Sequence, residues 1–236
     1  MSAPSSRSTQ LTRSLHSTAH STARTTRATG IALAAVGLVL VANGAWYAPL
    51  MFSISPDTKL SQYGGELPFQ LFQTIHLCAL VALAVVVSRL GHLRGRTGRS
   101  LPPWVPVVLM AVTILQAATV YAQAFVVPHL AAVAPHVLDI ESIDLFAISM
   151  MVIWSAFSLA VVAIAVIGAI RRVIPVVAAI VIALGALSMP MLGPAGALLI
   201  GAGLAYWALT RILRRTAPDE TEAEPTTAPA RVAAQA

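Results

Sequence analysis

The feature that most limits what this chain can fold into is a series of long apolar runs, most of which end beside arginines. Residues 69–87 hold no acid, lysine or arginine, and Arg89, Arg94, Arg96 and Arg99 follow at once. As a helix, a run of about 19 residues rises about 28 Å, close to the ~30 Å hydrocarbon thickness of a bilayer. Comparable runs begin near Gly30, Trp104 and Ile143, and Val173 to Thr210 carries no charge at all. One helix over that last stretch would overshoot a bilayer about twofold. Pro190, Gly193 and Pro194 instead divide it into two short spans joined by a tight turn. The pattern predicts an all-α fold: a polytopic helical membrane bundle of six transmembrane helices, at about 30–52, 68–90, 103–127, 143–170, 173–189 and 192–210. Pro49 is expected to end the first helix and Pro128 the third.

Charge placement sets the orientation. Arginine clusters beside apolar spans stay on the cytoplasmic side. With six spans, Arg89, Arg94, Arg96, Arg99, Arg171, Arg172, Arg211, Arg214 and Arg215 all fall on one side, and Lys59 alone falls on the other. Both termini are then cytoplasmic, in the plasma (inner) membrane. The arginines near Arg94 are also placed to meet anionic lipid headgroups. The net charge of +6 would suit a nucleic-acid binder, but the basic residues sit where topology alone would put them, so no nucleic acid is expected. Only 10% of residues are charged, against about 25% in soluble domains, and the surplus of apolar surface must face lipid.

Residues 1–29 are basic and rich in Ser and Thr, with too little apolar surface to offset the entropy of ordering, and they read as a disordered cytoplasmic tail. The membrane domain is expected over 30–213 and a second disordered cytoplasmic tail over 214–236. Residues 31–42 have the character of a signal-peptide core. The apolar run continues through Trp46, Tyr47 and Phe52, however, so a retained span is the better reading.

Cys78 is the only cysteine, which excludes an intrachain disulfide and any cysteine-based metal cluster. His129, His136, Asp139 and Glu141 lack tight ligand spacing, and no histidine matches the depth of His76 as a haem partner. No cofactor or metal is expected. No nucleophile elbow, phosphate loop or zinc motif appears either, so the chain does not read as an enzyme.

Two features remain. His76 sits about 12 Å inside the second span and needs a hydrogen-bond partner there. Gln73 shares its helix, Gln116 and Gln123 lie on one stripe of the third span, Asn43 sits at a similar depth on the first, and Asp144 opens the fourth. Together they outline a polar patch in the outer half of the bundle. The second feature is a small-residue ridge of Gly193, Ala197, Gly201 and Ala205, with Ala179 and Ala183 as its facing surface on the fifth span. The ridge favours a structural or accessory membrane subunit, packing with other membrane subunits or as a homo-oligomer. The patch around His76 supports the alternative, a small solute or proton-linked transporter or channel.

Overall fold

The computed structural model describes residues 6–55, 57–93, 98–139 and 145–216. The described residues are 86% helical and contain no strand. In order come α1 (Ser6–Ser53), α2 (Leu60–Tyr63), α3 (Leu67–Val87), a 3-10 turn (Leu90–His92) and α4 (Trp104–Tyr121). A π-helical turn (Ala122–Val126), α5 (Val127–Val133), α6 (Pro135–Leu138), α7 (Leu145–Ile170), α8 (Val176–Leu192) and α9 (Pro194–Thr216) complete it. Five helical stretches are long and apolar enough to cross a bilayer. The sixth, α8, has 17 residues, at the short edge of the spanning range of about 17–25.

Proline sets several helix starts. Pro68 lies in the first turn of α3, Pro103 and Pro106 flank the start of α4, Pro175 precedes α8, and Pro194 opens α9. In a first turn the missing N–H has no intrahelical partner to lose. Between α8 and α9 the turn narrows to Gly193, whose φ of 40° suits a residue without a side chain. Its N–H donates to the Met189 carbonyl at 2.9 Å. The end of α7 closes in the same manner with a different residue: Arg172 takes φ 55° while Val173 N–H donates to the Gly168 carbonyl at 2.8 Å.

The helix α1 begins at Ser6, within the basic Ser/Thr-rich stretch, and no glycine or proline interrupts residues 6–29. Two expectations are corrected. Pro49 lies inside α1 rather than ending it. Nor does Pro128 end the third span, which stays helical to Val133. The π-turn just ahead of Pro128 explains how. A proline ring crowds the carbonyl four residues back, here that of Ala124, and a widened turn relieves the crowding. Val127 N–H accordingly donates five residues back, to Ala122. Among apolar surroundings a widened turn costs less than a helix end with unpaired backbone groups.

The long helices form a closed ring. Each packs on the next in sequence, α1 on α3, α3 on α4, α4 on α7, α7 on α8 and α8 on α9, and α9 packs back on α1. The closing contact is the tightest. A Cβ on Gly37 would stand 2.7 Å from the Ala205 nitrogen and the Gly201 carbonyl, and one on Gly201 would stand 2.6 Å from the Gly37 carbonyl. Gly44 meets the Pro194 carbonyl and Leu198 in the same way. The ridge of Ala197, Gly201 and Ala205 is therefore buried within the chain, with Gly201 and Ala205 turned to α1 rather than to the fifth span. The α8–α9 contact uses a different pair, Gly185 against Gly196, and Gly193 belongs to the turn. Outward faces stay apolar, with Val81, Ile114, Met151, Leu159, Ile180 and Leu209 all exposed. Such a surface fits a lipid surrounding.

Gly37→Val should destabilise the protein by about 3 kcal/mol, because backbone on the facing helix has no rotamer with which to yield. Gly91→Ala, whose added Cβ meets only Pro106 at 3.6 Å, should leave stability within about 1 kcal/mol. Denaturant unfolding of both variants in matched micelles reads the difference.

Candidate functional site: a chamber inside the ring

Alternation of helix direction gives the ring two unlike ends. One carries Arg89, Arg99, Arg171, Arg172 and Arg211; the other carries Tyr47, Tyr63, Phe69 and the α8–α9 turn. At the arginine end the polar heads are tied to backbone. Arg171 Nη1 donates to the Ser100 carbonyl at 3.1 Å, and Trp207 Nε1 and Arg211 Nη2 share the Val173 carbonyl at 3.0 and 3.2 Å. Arg214 and Arg215 lie at the end of α9, whereas Arg94 and Arg96 lie outside the described residues.

Toward the tyrosine end the ring holds a partly open chamber of about 220 Å³. All six long helices line it, through Tyr47 and Met51 of α1, Phe72, Gln73 and His76 of α3, Gln116 and Val120 of α4, Met150 and Trp154 of α7, Met189 of α8 and Pro194 of α9. Gln123 joins them from the π-turn. Helical spacing places these side chains: Phe69, Phe72, Gln73 and His76 share one face of α3, and Gln116, Val120 and Gln123 share one face of the next span. Among the described residues, no charged side chain lines the chamber. Below it, toward the arginines, lies a second void of only about 50 Å³, walled by Leu83, Val87, Leu109, Phe157, Val161 and other apolar groups. That packing stops the chamber short of the arginine end.

Four of the six residues expected to form a polar patch thus meet in one place: Gln73, His76, Gln116 and Gln123. Asn43 is buried but employed elsewhere. Its Nδ2 donates to the Phe72 carbonyl at 3.0 Å and its Oδ1 accepts from Trp46 Nε1 at 3.2 Å, so it ties α1 to α3. Asp144 lies outside the described residues.

The chamber residues are short of partners. His76 is only 4% exposed, meets the Phe72 ring edge-on at 5.7 Å, and forms no hydrogen bond among the described residues. Gln116 is 1% exposed and its Oε1 has no partner; Trp154 Nε1 and Ser158 Oγ are likewise buried and unpaired. Gln123 Nε2 reaches only a sulfur, Met150 Sδ at 3.9 Å. Most buried polar groups in proteins are paired, and each exception calls for a reason. Trp154 was the residue sequence reasoning missed. Its signal was the four-residue spacing of Met150, Trp154 and Ser158, which puts a tryptophan and a hydroxyl on the inner face of α7.

A small cap covers the tyrosine end. Leu60 and Tyr63 of α2 line the chamber, and burial pushes the Tyr63 phenol above its usual value. Ser61 holds this cap to the far loop: its Oγ donates to Asp139 Oδ2 at 2.7 Å. Asp139 is thereby engaged by a serine, Glu141 lies outside the described residues, and no three metal-ligating side chains gather among the described residues.

No family model, curated protein or solved structure matches this chain, so the site stands on its own geometry.

The pairing difference predicts opposite stability effects for two buried amides. Asn43→Leu should cost about 1 kcal/mol, the usual scale of an interhelical hydrogen bond in a membrane protein. Gln116→Met removes an amide that bonds nothing among the described residues and should leave stability unchanged or raise it by up to about 1 kcal/mol. Thermal unfolding of the two variants side by side checks both signs.

Proposed function

We propose that the protein is a multi-pass protein of the plasma membrane, with both termini cytoplasmic, that carries a small uncharged solute through the middle of its helix ring. One observation bears most of the weight: Gln73, His76, Gln116 and Gln123, contributed by separate turns of two spans, open on one chamber lined by all six long helices. Polar and ionisable side chains inside a membrane protein are costly and mark substrate paths. Buried polar side chains with few partners among the described residues fit that role better than a packing role. The absence of charge from the chamber wall among the described residues favours uncharged cargo, because an ion entering it would lose hydration without compensation.

The apolar packing below the chamber makes this a carrier closed toward the arginine end rather than an open pore. The ring supplies the means of opening, since small shifts between adjoining helices would part that packing. The alternative role as an accessory subunit drew on the ridge of Ala197, Gly201 and Ala205. That ridge is taken up by α1 within the same chain, which leaves it unavailable to another subunit.

Carriage predicts access to the chamber from both faces in turn. In a Cys78→Ser background, Gln73→Cys should react with a small membrane-impermeant thiol reagent in right-side-out and in inside-out vesicles, at rates differing at least tenfold. Reaction from a single face contradicts carriage and leaves a one-sided receptor. Reaction from neither face contradicts an accessible chamber altogether.

A further inference from the structure

Between the end of α1 and the start of α3 the chain makes a single helical turn, α2, and this turn keeps much of its hydrogen bonding to itself. Gln62 N–H donates to the Lys59 carbonyl at 3.0 Å and Gly64 N–H to the Leu60 carbonyl at 2.8 Å. Lys59 N–H in turn donates to Gln62 Oε1 at 3.0 Å. A segment that satisfies its own backbone can move as a unit without stranding polar groups. One side of the turn faces the chamber through Leu60 and Tyr63. The same two side chains, with Leu138 of α6, pack on an apolar cluster of Tyr47, Phe69, Phe72 and Val127. Tyr63 meets Phe69 edge-on at 5.7 Å. The other side of the turn is open, with Lys59 and Gln62 exposed.

The turn is fastened at two places of different kinds. Its foot is held to α3, where Gln70 Nε2 donates to the Gly65 carbonyl at 2.8 Å. Its far edge is held by one carboxylate from a distant part of the chain. Ser61 Oγ donates to Asp139 Oδ2 at 2.7 Å, and Ser61 N–H donates to Asp139 Oδ1 at 3.4 Å. Among the described residues, no other hydrogen bond joins residues 59–64 to a different helix. The pair is only partly buried, so water can replace either partner when it parts. Between foot and edge the contact is close but carries no side chain from the turn: a Cβ on Gly64 would stand 2.7 Å from Val127 Cγ1. Gly64 and Gly65 together give the foot the small residues that hinges often use.

We infer that residues 59–64 form a hinged flap at the tyrosine end of the chamber and that Ser61 and Asp139 are its latch. Parting the latch lets Leu60 and Tyr63 swing off the apolar cluster and widens access from that face. The inference rests on the carrier reading for what passes the flap, but opening is measured by access from one face alone. It also gives the two ends of the ring unlike barriers: a polar latch here, and the packing of Leu83, Val87, Phe157 and Val161 toward the arginines. A carrier needs two barriers that open separately.

The test uses the full chain in vesicles, with Gln73→Cys in the Cys78→Ser background and an impermeant methanethiosulfonate as probe. Ser61→Ala and Asp139→Ala should each raise labelling from the tyrosine face about tenfold, the scale of one hydrogen bond to a charged group. The double variant should gain no more than either single one, because both remove the same tie. Labelling from the arginine face should stay within about twofold, since that barrier is untouched. Locking the latch should do the opposite. With Ser61→Cys and Asp139→Cys added, oxidation that joins positions 61 and 139, verified by peptide mass, should slow tyrosine-face labelling, and reduction should restore it. Labelling indifferent to both the latch variants and the cross-link overturns the inference. So do additive rises in the single variants, or equal rises at both faces, which mark a general loosening. Latch-dependent labelling from the tyrosine face alone upholds the flap and removes the carrier reading; labelling from both faces that ignores the latch does the reverse. Labelling from neither face, with the latch intact or broken, overturns both.

Discussion

Everything in this fold depends on two helix backbones coming close enough to touch. The first and last spans meet where Gly37 faces Gly201 and Gly44 faces Pro194, and a single methyl group on either side would strike backbone. Lipid tails are as apolar as leucine, so helices in a bilayer gain little from burying apolar surface against one another. Close packing has to supply the association instead, and small residues make it available. Because this contact joins opposite ends of the sequence, it converts a row of antiparallel helices into a ring, and a ring has an interior. The other tight contacts, Gly185 with Gly196 and Gly203 with Ala178, fix α8 against α9 and so set the wall next to the closure.

The interior divides according to how its polar groups are paired. Several short side chains find a partner within their own helix: Thr113 donates to the Leu109 carbonyl, Thr119 to Gln116, Ser188 to Gly185 and Thr210 to Trp207, whereas Ser158 does not. Longer polar side chains reach away from their backbone and need a neighbour. Asn43 finds one in the Phe72 carbonyl, and that bond is part of the scaffold. Gln116 and Trp154 have polar atoms that find none among the described residues, and both residues belong to the chamber wall. The π-turn contributes to the same place, because widening the helix ahead of Pro128 sets the position of Gln123 on the chamber wall. Such turns recur at functional sites.

Much of this architecture was legible in the residue order, and the parts that were not share a cause. Spans declare themselves because lipid tolerates only long uncharged runs, and Gly193 between Pro190 and Pro194 could hardly be anything other than a turn. Local rules then failed where the surroundings outvoted them. Pro128 stops helices in water, but here a widened turn keeps the backbone bonded. Adjacency in sequence points the small-residue ridge at α8, whereas the glycine opposite Gly201 and Ala205 is Gly37 of α1, far away in the chain. Of the polar patch, Gln73, His76, Gln116 and Gln123 were found by depth and helical phase. Asn43 had the same depth and a different duty, which only its bonded partner reveals. Trp154 escaped notice because a tryptophan within an apolar span looks like any other core residue.

The ring's closure is the claim on which the chamber, its wall and its contents all stand, and it can be observed without altering the protein. In lipid bilayers, with glycine alpha-carbons labelled, magic-angle-spinning NMR should show a direct cross-peak between Gly37 and Gly201 within a single chain, surviving dilution into unlabelled protein. A missing cross-peak, or one that vanishes on dilution because it joins two copies, would mean that the first and last spans do not meet in one molecule. The chamber would then have no closed wall.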